Sequence, residues 1–259
     1  MRSPEERSGR GLAVVGALVS VALLLGAWSI ATAAGVSAFV LPPLGAVWSA
    51  LLVLVRDPAT WGQVGITAVE VVSGFGIALG AGIVVGVALG RLRWLERASR
   101  PALVAFQVVP KIALVPIFVL WFGFGPTSKI VLAALLAFLP ITMNVLLGVR
   151  SVEPGHREVL RQLGSSRWAV LRSLELPTAA PSVLTGAETA VVFAVIGAVI
   201  GEFLGGSQGL GHVVVVAMNS LDTPRMFAAI LLLTLLGVAL HGAVAGARRL
   251  LVPWHTSAS

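Results

Sequence analysis

Residues Glu158-Val-Leu-Arg-Gln-Leu-Gly164-Ser-Ser-Arg167-Trp-Ala-Val-Leu-Arg-Ser-Leu174-Glu-Leu-Pro177 form the longest charged, amphipathic segment of an otherwise very apolar chain. Val159, Leu160 and Leu163 recur at helical spacing and so share one face of a short helix. Gly164 is expected to end that helix, because glycine enters the left-handed region without the clash a Cβ brings. Ser165 or Ser166 then caps a second helix, which Pro177 is expected to stop. Five arginines lie between Arg150 and Arg172. The segment reads as a compact helix–turn–helix on a membrane surface. An amphipathic connector resting on lipid headgroups is the plainer alternative.

Composition sets the surroundings of that segment. The 259 residues are 57% hydrophobic and only 11% charged, with a mean hydropathy of +0.98. A soluble domain carries about 25% charged residues, so the chain reads as one polytopic membrane domain, residues 11–259, behind a short polar segment, residues 1–10. The continuous apolar runs point to an all-α protein rather than a barrel of alternating strands. The net charge of +7 does not indicate nucleic acid, since the positive residues flank apolar spans instead of forming a patch interleaved with aromatics. Without cysteine there is no disulfide, thiolate metal site or cysteine nucleophile. The four histidines, at 156, 212, 241 and 255, lack metal-ligand spacing.

Six spans are expected, near 11–34, 63–90, 101–122, 130–149, 182–203 and 226–247. The first is uncharged and long enough to cross about 30 Å at about 1.5 Å per residue. A signal peptide competes, because Ala31-Thr32-Ala33 imitates a cleavage site. The apolar stretch exceeds the usual core of about 7–15 residues, which favours an uncleaved helix. Leu41-Pro42-Pro43 makes a hard turn before a short helix from Leu44. The second span carries Gly76, Gly80, Gly82, Gly86 and Gly90, whose four-residue spacings allow close helix approach. The third contains Pro110, Lys111 and Pro116, costly in a membrane helix unless neighbours or a cavity compensate. With the amino terminus inside, residues 1–10, 91–100, 150–177 and 248–259 hold 14 of the 18 basic residues. The excess of inside positive charge supports this topology and places both termini and the 150–177 loop in the cytoplasm.

The loop resembles the cytoplasmic coupling loop of ATP-binding-cassette importer permeases, which reads Glu-Ala-Ala, three residues, Gly, nine residues, Ile-x-Leu-Pro. Glu158, Gly164, Leu174 and Leu176-Pro177 stand at the matching spacing. Val159 and Leu160 replace the alanines, and Leu174 the isoleucine. Leu41-Pro42-Pro43, Gly74-Phe75-Gly76, Pro110 to Gly123, Ser128-Lys129, Gly201-Glu202-Phe203 and Gly209-Leu210-Gly211 look like the nitrate/sulfonate/taurine branch of these permeases. That branch also includes members assigned to thiamine-precursor pyrimidines and riboflavin.

The resemblance implies a type I importer permease in a prokaryotic cytoplasmic membrane. It implies a homodimer, with a cytoplasmic ATPase dimer and an extracytoplasmic substrate-binding protein as partners. It further implies that this chain is not an enzyme and holds no cofactor, ATP and Mg2+ belonging to the ATPase. No Gly-x-x-x-x-Gly-Lys-Ser/Thr phosphate loop occurs in the chain, in keeping with that. On this footing Leu160 and Leu163 are expected to pack into the ATPase, with Glu158, Arg161 and Arg167 as the polar rim.

The transport path is approached through Pro110, Lys111, Pro116 and Asn144. Two uses of Lys111 compete: positive potential for an anionic substrate, and snorkelling towards the inner surface. Asn144 suits an interhelical hydrogen bond. Glu202, at the outer end of the fifth span, is expected either to meet the binding protein or to act as a gate bonded to the Gly205-Gly206 turn. Glu188 is expected to pair with a loop arginine. Substrates to weigh are a sulfonate, taurine or nitrate, against a vitamin precursor such as hydroxymethylpyrimidine or riboflavin. An ion-driven transporter acting alone would use Glu70, Glu188 and Glu202 inside the membrane, but it leaves the loop spacing unexplained.

Overall fold

The computed structural model describes residues 4–252, which are all-helical with no strand. In order the helices are α1 (Pro4–Ala33), α2 (Leu44–Arg56), α3 (Pro58–Arg91), α4 (Arg93–Val108), α5 (Val115–Phe122), α6 (Pro126–Arg150), α7 (Pro154–Gln162), α8 (Arg167–Val170), α9 (Leu176–Gly205), α10 (Leu210–Asn219) and α11 (Thr223–Leu251). A 3₁₀ turn, Lys111–Leu114, precedes α5, and a π turn, Leu171–Glu175, joins α8 to α9.

The core is a three-helix sandwich in which α6 packs along both α3 and α9. Small residues set the distance between α3 and α6. A Cβ on Gly82 would stand 2.7 Å from an Ile141 methyl, on Gly86 2.6 Å from Val145 Cβ, and on Gly90 2.9 Å from Val149 Cβ. Ala133, Ala137, Ile141, Val145 and Val149 of α6 fill the opposing side, with Ala190, Ala194 and Ala198 of α9 behind them. Such close backbone approach drives helix association where water gives no hydrophobic push. Of the expected glycines, Gly76 and Gly80 face open space. A second cluster joins α2, α10 and α11 through Leu54, Leu210, Val214, Ala228 and Leu232. The first helix reaches α11 by Trp28, whose ring stands edge-on to Phe227 at 5.2 Å while its Nε1 donates to Pro42 O at 2.8 Å.

By length and apolarity α3, α6, the continuous run Arg167–Gly205 and α11 can each cross a membrane, and α4 with Lys111–Phe122 makes a fifth, broken crossing. The expectation of one third helix over 101–122 is therefore corrected. Helix α4 begins at Arg93 and stops at Val108, and the next segment is bent from it by 84°. Pro110 has no N–H to give and disfavours helical backbone in the residue before it. Val109 accordingly lies at φ −56°, ψ 124°. Pro116 sits in the first turn of α5, where a missing N–H costs nothing.

The expected stop at Pro177 is also corrected. The helix continues from Arg167 to Gly205, because the wider π turn lies directly ahead of Pro177 and accommodates the proline's ring and missing donor.

Candidate functional site

Three groups of side chains stand out, one at each end of the bundle and one between. At the basic end, α7 finishes in the conformation expected for Gly164. Its φ is +75°, Gly164 N donates to Arg161 O and Ser165 N to Leu160 O, both at 3.0 Å. This is a Schellman termination. Of the two serines considered, Ser166 is the cap: its Oγ accepts from Ala169 N at 3.1 Å. Ion pairs and hydrogen bonds moor the turn to the bundle. Arg91, closing α3, reaches Glu175 at 3.1 Å and donates to Arg167 O at 3.0 Å. Arg150, closing α6, pairs with Glu96 of α4.

Apolar side chains stay uncovered on this turn. Leu163 is 75% exposed and Trp168 66%, and Val159 is exposed as well. Leu160 and Leu174 are half-buried, whereas Glu158, Arg161, Arg167 and Pro177 are exposed.

Midway, the break between α4 and the Lys111–Leu114 turn leaves Lys111 beside a cavity of about 390 Å³, lined by Gln107, Leu136, Leu139, Pro140, Met143 and Phe193. The Lys111 Nζ stands 5.3 Å from the Phe106 ring centre and donates to Gln107 O at 3.4 Å. An ammonium over an aromatic face is stabilised by the ring quadrupole and keeps its remaining donors for a ligand. Pro110 and Pro116 frame this break as exposed residues. Asn144 is turned elsewhere: its Nδ2 donates to Pro140 O at 2.8 Å, and its Cβ fills the space over Gly186 of α9.

At the opposite end lies a buried polar clasp. Lys129 in the first turns of α6 pairs with Glu70 of α3 at 3.2 Å, their side chains 3% and 1% exposed. Glu202 of α9 is 0% exposed and accepts from Thr67 Oγ1 at 2.6 Å and from Gly211 N at 2.6 Å. Thr67 Oγ1 in turn accepts from Leu210 N at 2.8 Å, and Gln63 Oε1 from Gly209 N at 2.5 Å. The leading N–H groups of α10, which have no partner within their own helix, are thus held by side chains of α3 and α9. Gly209 has φ +99°, and a Cβ there would collide with the Glu202 carboxylate. The side chain of Glu202 turns to α10 and α3, not to the Gly205-Gly206 turn.

The arrangement is a bundle with a basic turn carrying uncovered apolar side chains at one end and a pinned helix at the other. Residues 78–250 match the family described as the binding-protein-dependent transport system inner membrane component. The chain belongs to that family.

The permease is 37% identical to the riboflavin transport system permease protein RibX of Chloroflexus aurantiacus, over 94% of this chain and 91% of that protein. It is 31% identical to the taurine transport system permease protein TauC of Escherichia coli, over 88% and 85%. In fold it is similar to the inward-facing MetNI methionine ABC transporter, with a TM-score of 0.60 at 22% identity, over 73% of this chain and 92% of that one. The permease is the membrane component of an ABC importer, a multi-pass protein without catalytic function of its own.

Sequence reasoning had Glu70 and Glu202 but missed what holds them. Two oppositely charged residues, Glu70 and Lys129, inside neighbouring apolar runs were the available signal for a pair. Nothing in the sequence marked Thr67 or Gln63, whose roles come only from where α10 docks. Glu188 does take an arginine, but Arg248 of α11 at 3.0 Å rather than one from the loop. His241 Nδ1 lies 3.3 Å from Glu188 O, and no metal-binding group of acidic or histidine side chains exists among the described residues.

Proposed function

We propose that the permease crosses the cytoplasmic membrane of a prokaryote six times with both termini inside. It works there as a homodimer with two copies of a cytoplasmic ATPase and an extracytoplasmic binding protein. This chain holds no cofactor of its own, and ATP and Mg2+ stay on the ATPase. The turn between α7 and α8 is the coupling element. Leu160 and Leu163 seat in the ATPase, Glu158, Arg161 and Arg167 rim the contact, and Gly164 makes the turn, while Leu174 and Pro177 carry it into the crossing helix. The observation that carries this reading is the turn itself: apolar Leu163 and Trp168 uncovered among arginines. Exposed large apolar residues rimmed by polar ones mark interaction sites.

The substrate passes the broken third crossing, where Lys111 presents a positive charge beside Pro110 and Pro116. A small anion such as a sulfonate, taurine or nitrate fits a cavity with one cation. Similarity to the riboflavin permease, together with the aromatic Phe106 and Phe193 around Lys111, favours a second reading, a planar vitamin or its precursor.

Uptake of labelled taurine, an alkanesulfonate, nitrate, a hydroxymethylpyrimidine and riboflavin is the test, in cells lacking this chain and rescued by wild type or by Gly164→Asp. Asp tolerates the left-handed backbone better than most residues, so the variant folds but puts a carboxylate into the docking turn. Restoration of one uptake by wild type alone names the substrate and supports the coupling role. Full transport by Gly164→Asp would refute that role.

A further inference from the structure

Three charged side chains meet in the clasp, and their charges do not balance if all three are ionised. Glu70 of α3, Lys129 of α6 and Glu202 of α9 are 1%, 3% and 0% exposed. The two carboxyl groups lie within hydrogen-bonding reach of each other, and one ammonium stands beside both. Two carboxylates and one ammonium leave a negative charge uncompensated among apolar helices. Ionised carboxylates are also acceptors only, so these two cannot bond to one another. A single proton removes both faults. It makes the triad neutral and supplies the missing donor.

The hydrogen bonds place that proton. Glu202 accepts on both oxygens, from Thr67 Oγ1 on Oε1 and from Gly211 N on Oε2, each at 2.6 Å. Those are the bonds of an ionised carboxylate, which gains from each donor. Glu70 receives no hydrogen bond on either oxygen from the described residues; the Lys129 ammonium faces its Oε1 at 3.2 Å. The carboxyl group without donors is the one to carry the proton and present it to its neighbour. The charged groups that act on Glu70 are Lys129 and Glu202. Helix α5 brings no charged residue. From α10 come the backbone N–H groups of Leu210 and Gly211 and, next in sequence, the half-buried His212.

We propose that Glu70 is held protonated and donates its hydrogen to Glu202, so that the clasp is a proton-binding site that latches α10. With the proton in place, Lys129 balances Glu202, which holds Gly211 directly and Leu210 through Thr67. Without it, two carboxylates face each other beside one ammonium and repel. The bonds from Glu202 weaken, and the first turn of α10 loosens. A cavity of about 770 Å³ gives the proton a way in and out: its wall includes Glu70 and Lys129, together with Ser207 and Gln208, which lead into Gly209. The latch is closed while Glu70 keeps its proton and opens as pH rises.

Infrared spectroscopy of the full-length permease in dodecyl maltoside, a detergent without a carbonyl group, tests it. A protonated carboxyl group absorbs apart from the amide and carboxylate bands and shifts in D2O. Wild type at neutral pH should show this band. Glu70→Gln and Glu202→Gln should both lose it, because either change leaves one carboxyl group facing one ammonium. Glu188→Gln, which removes the partner of Arg248, should leave it unchanged. Amide exchange at Leu210 and Gly211, corrected for base catalysis of the free amide, should be about tenfold faster in wild type at alkaline than at neutral pH. Glu70→Gln, which keeps the shape and a donor, should show no such rise. Absence of a band that depends on Glu70, or the same pH response in Glu70→Gln as in wild type, overturns the proposal. Loss of the response in His212→Gln also overturns it, by making His212 the titrating group.

Discussion

Lys129→Met should be far more damaging than Glu70→Gln, although the two changes break the same ion pair. The ammonium is 3% exposed and the carboxylate 1%, at 3.2 Å, and Glu202, 0% exposed, lies close enough to feel the Lys129 charge. One cation therefore lies beside two buried carboxyl groups. Its removal leaves whichever of the two is ionised without a counter-charge, and an uncompensated buried charge costs about 3–5 kcal/mol. Glu70→Gln instead leaves Lys129 facing Glu202, and the loss falls to about 1 kcal/mol, the ordinary range for a point change. Thermal unfolding in detergent, followed by the emission of the seven tryptophans, measures the difference. At about 2–4 °C per kcal/mol for a chain of this size, Lys129→Met should melt on the order of 10 °C below wild type. The double variant Glu70→Gln/Lys129→Met should melt above Lys129→Met alone, because only one buried carboxyl group is then left to ionise. Equal effects of the two single changes, or strict additivity in the double, would refute the shared-cation argument.

Gly86→Val should lower stability by about 1–3 kcal/mol through overpacking, since its Cβ meets Val145 Cβ at 2.6 Å and Thr142 O at 2.7 Å. Gly80→Ala, with open space around it, should be neutral or slightly stabilising by helix propensity; melting of the two purified variants side by side checks both. Thr67→Val removes a donor to Glu202 and an acceptor for Leu210 N. About 1–3 kcal/mol should be lost from the docking of α10, seen as faster amide exchange over residues 209–212. Ser166→Ala deletes the α8 cap at a cost of about 1 kcal/mol, raising exchange at residues 167–170 while the global melting temperature stays put.

The inner turn was legible because its geometry is local. The Gly164 conformation, the serine cap and the helix on either side depend on residues within a few positions, and spacing records them. Close packing was legible in part. The run Gly82, Gly86, Gly90 does lie against α6, while Gly76 and Gly80 share the composition but not the face. Legibility failed at the prolines. Pro110 breaks its helix by 84°, whereas Pro177 sits inside a continuous one. The difference lies in the π turn preceding Pro177, a backbone adjustment that no residue pattern announces. The outer clasp failed for another reason. Thr67, Gln63 and Gly211 come together across intervals of more than a hundred residues, and only the tertiary fold pairs them.

The two ends are physically one element. Arg167 follows the α7–α8 turn, and Glu202 pins α10; both belong to the same helical run of 39 residues, Arg167–Gly205, about 60 Å long at about 1.5 Å per residue. A helix of that length, packed against α6 along its middle by alanines and glycines, passes an axial or rocking displacement from one end to the other. The π turn at Leu171–Glu175, with Pro177 and Pro181 just beyond it, is where the run can yield, and Arg91 grips the π turn through Glu175. The clasp at the far end means that α10 cannot lag behind: three of its leading N–H groups are tied to α3 and α9. Motion imposed on the turn therefore moves the outer ends of α3, α9 and α10 as one body. It also follows that weakening Thr67 or Glu202 should decouple α10 from the turn without touching the proposed ATPase contact, a separation that Gly164→Asp cannot produce.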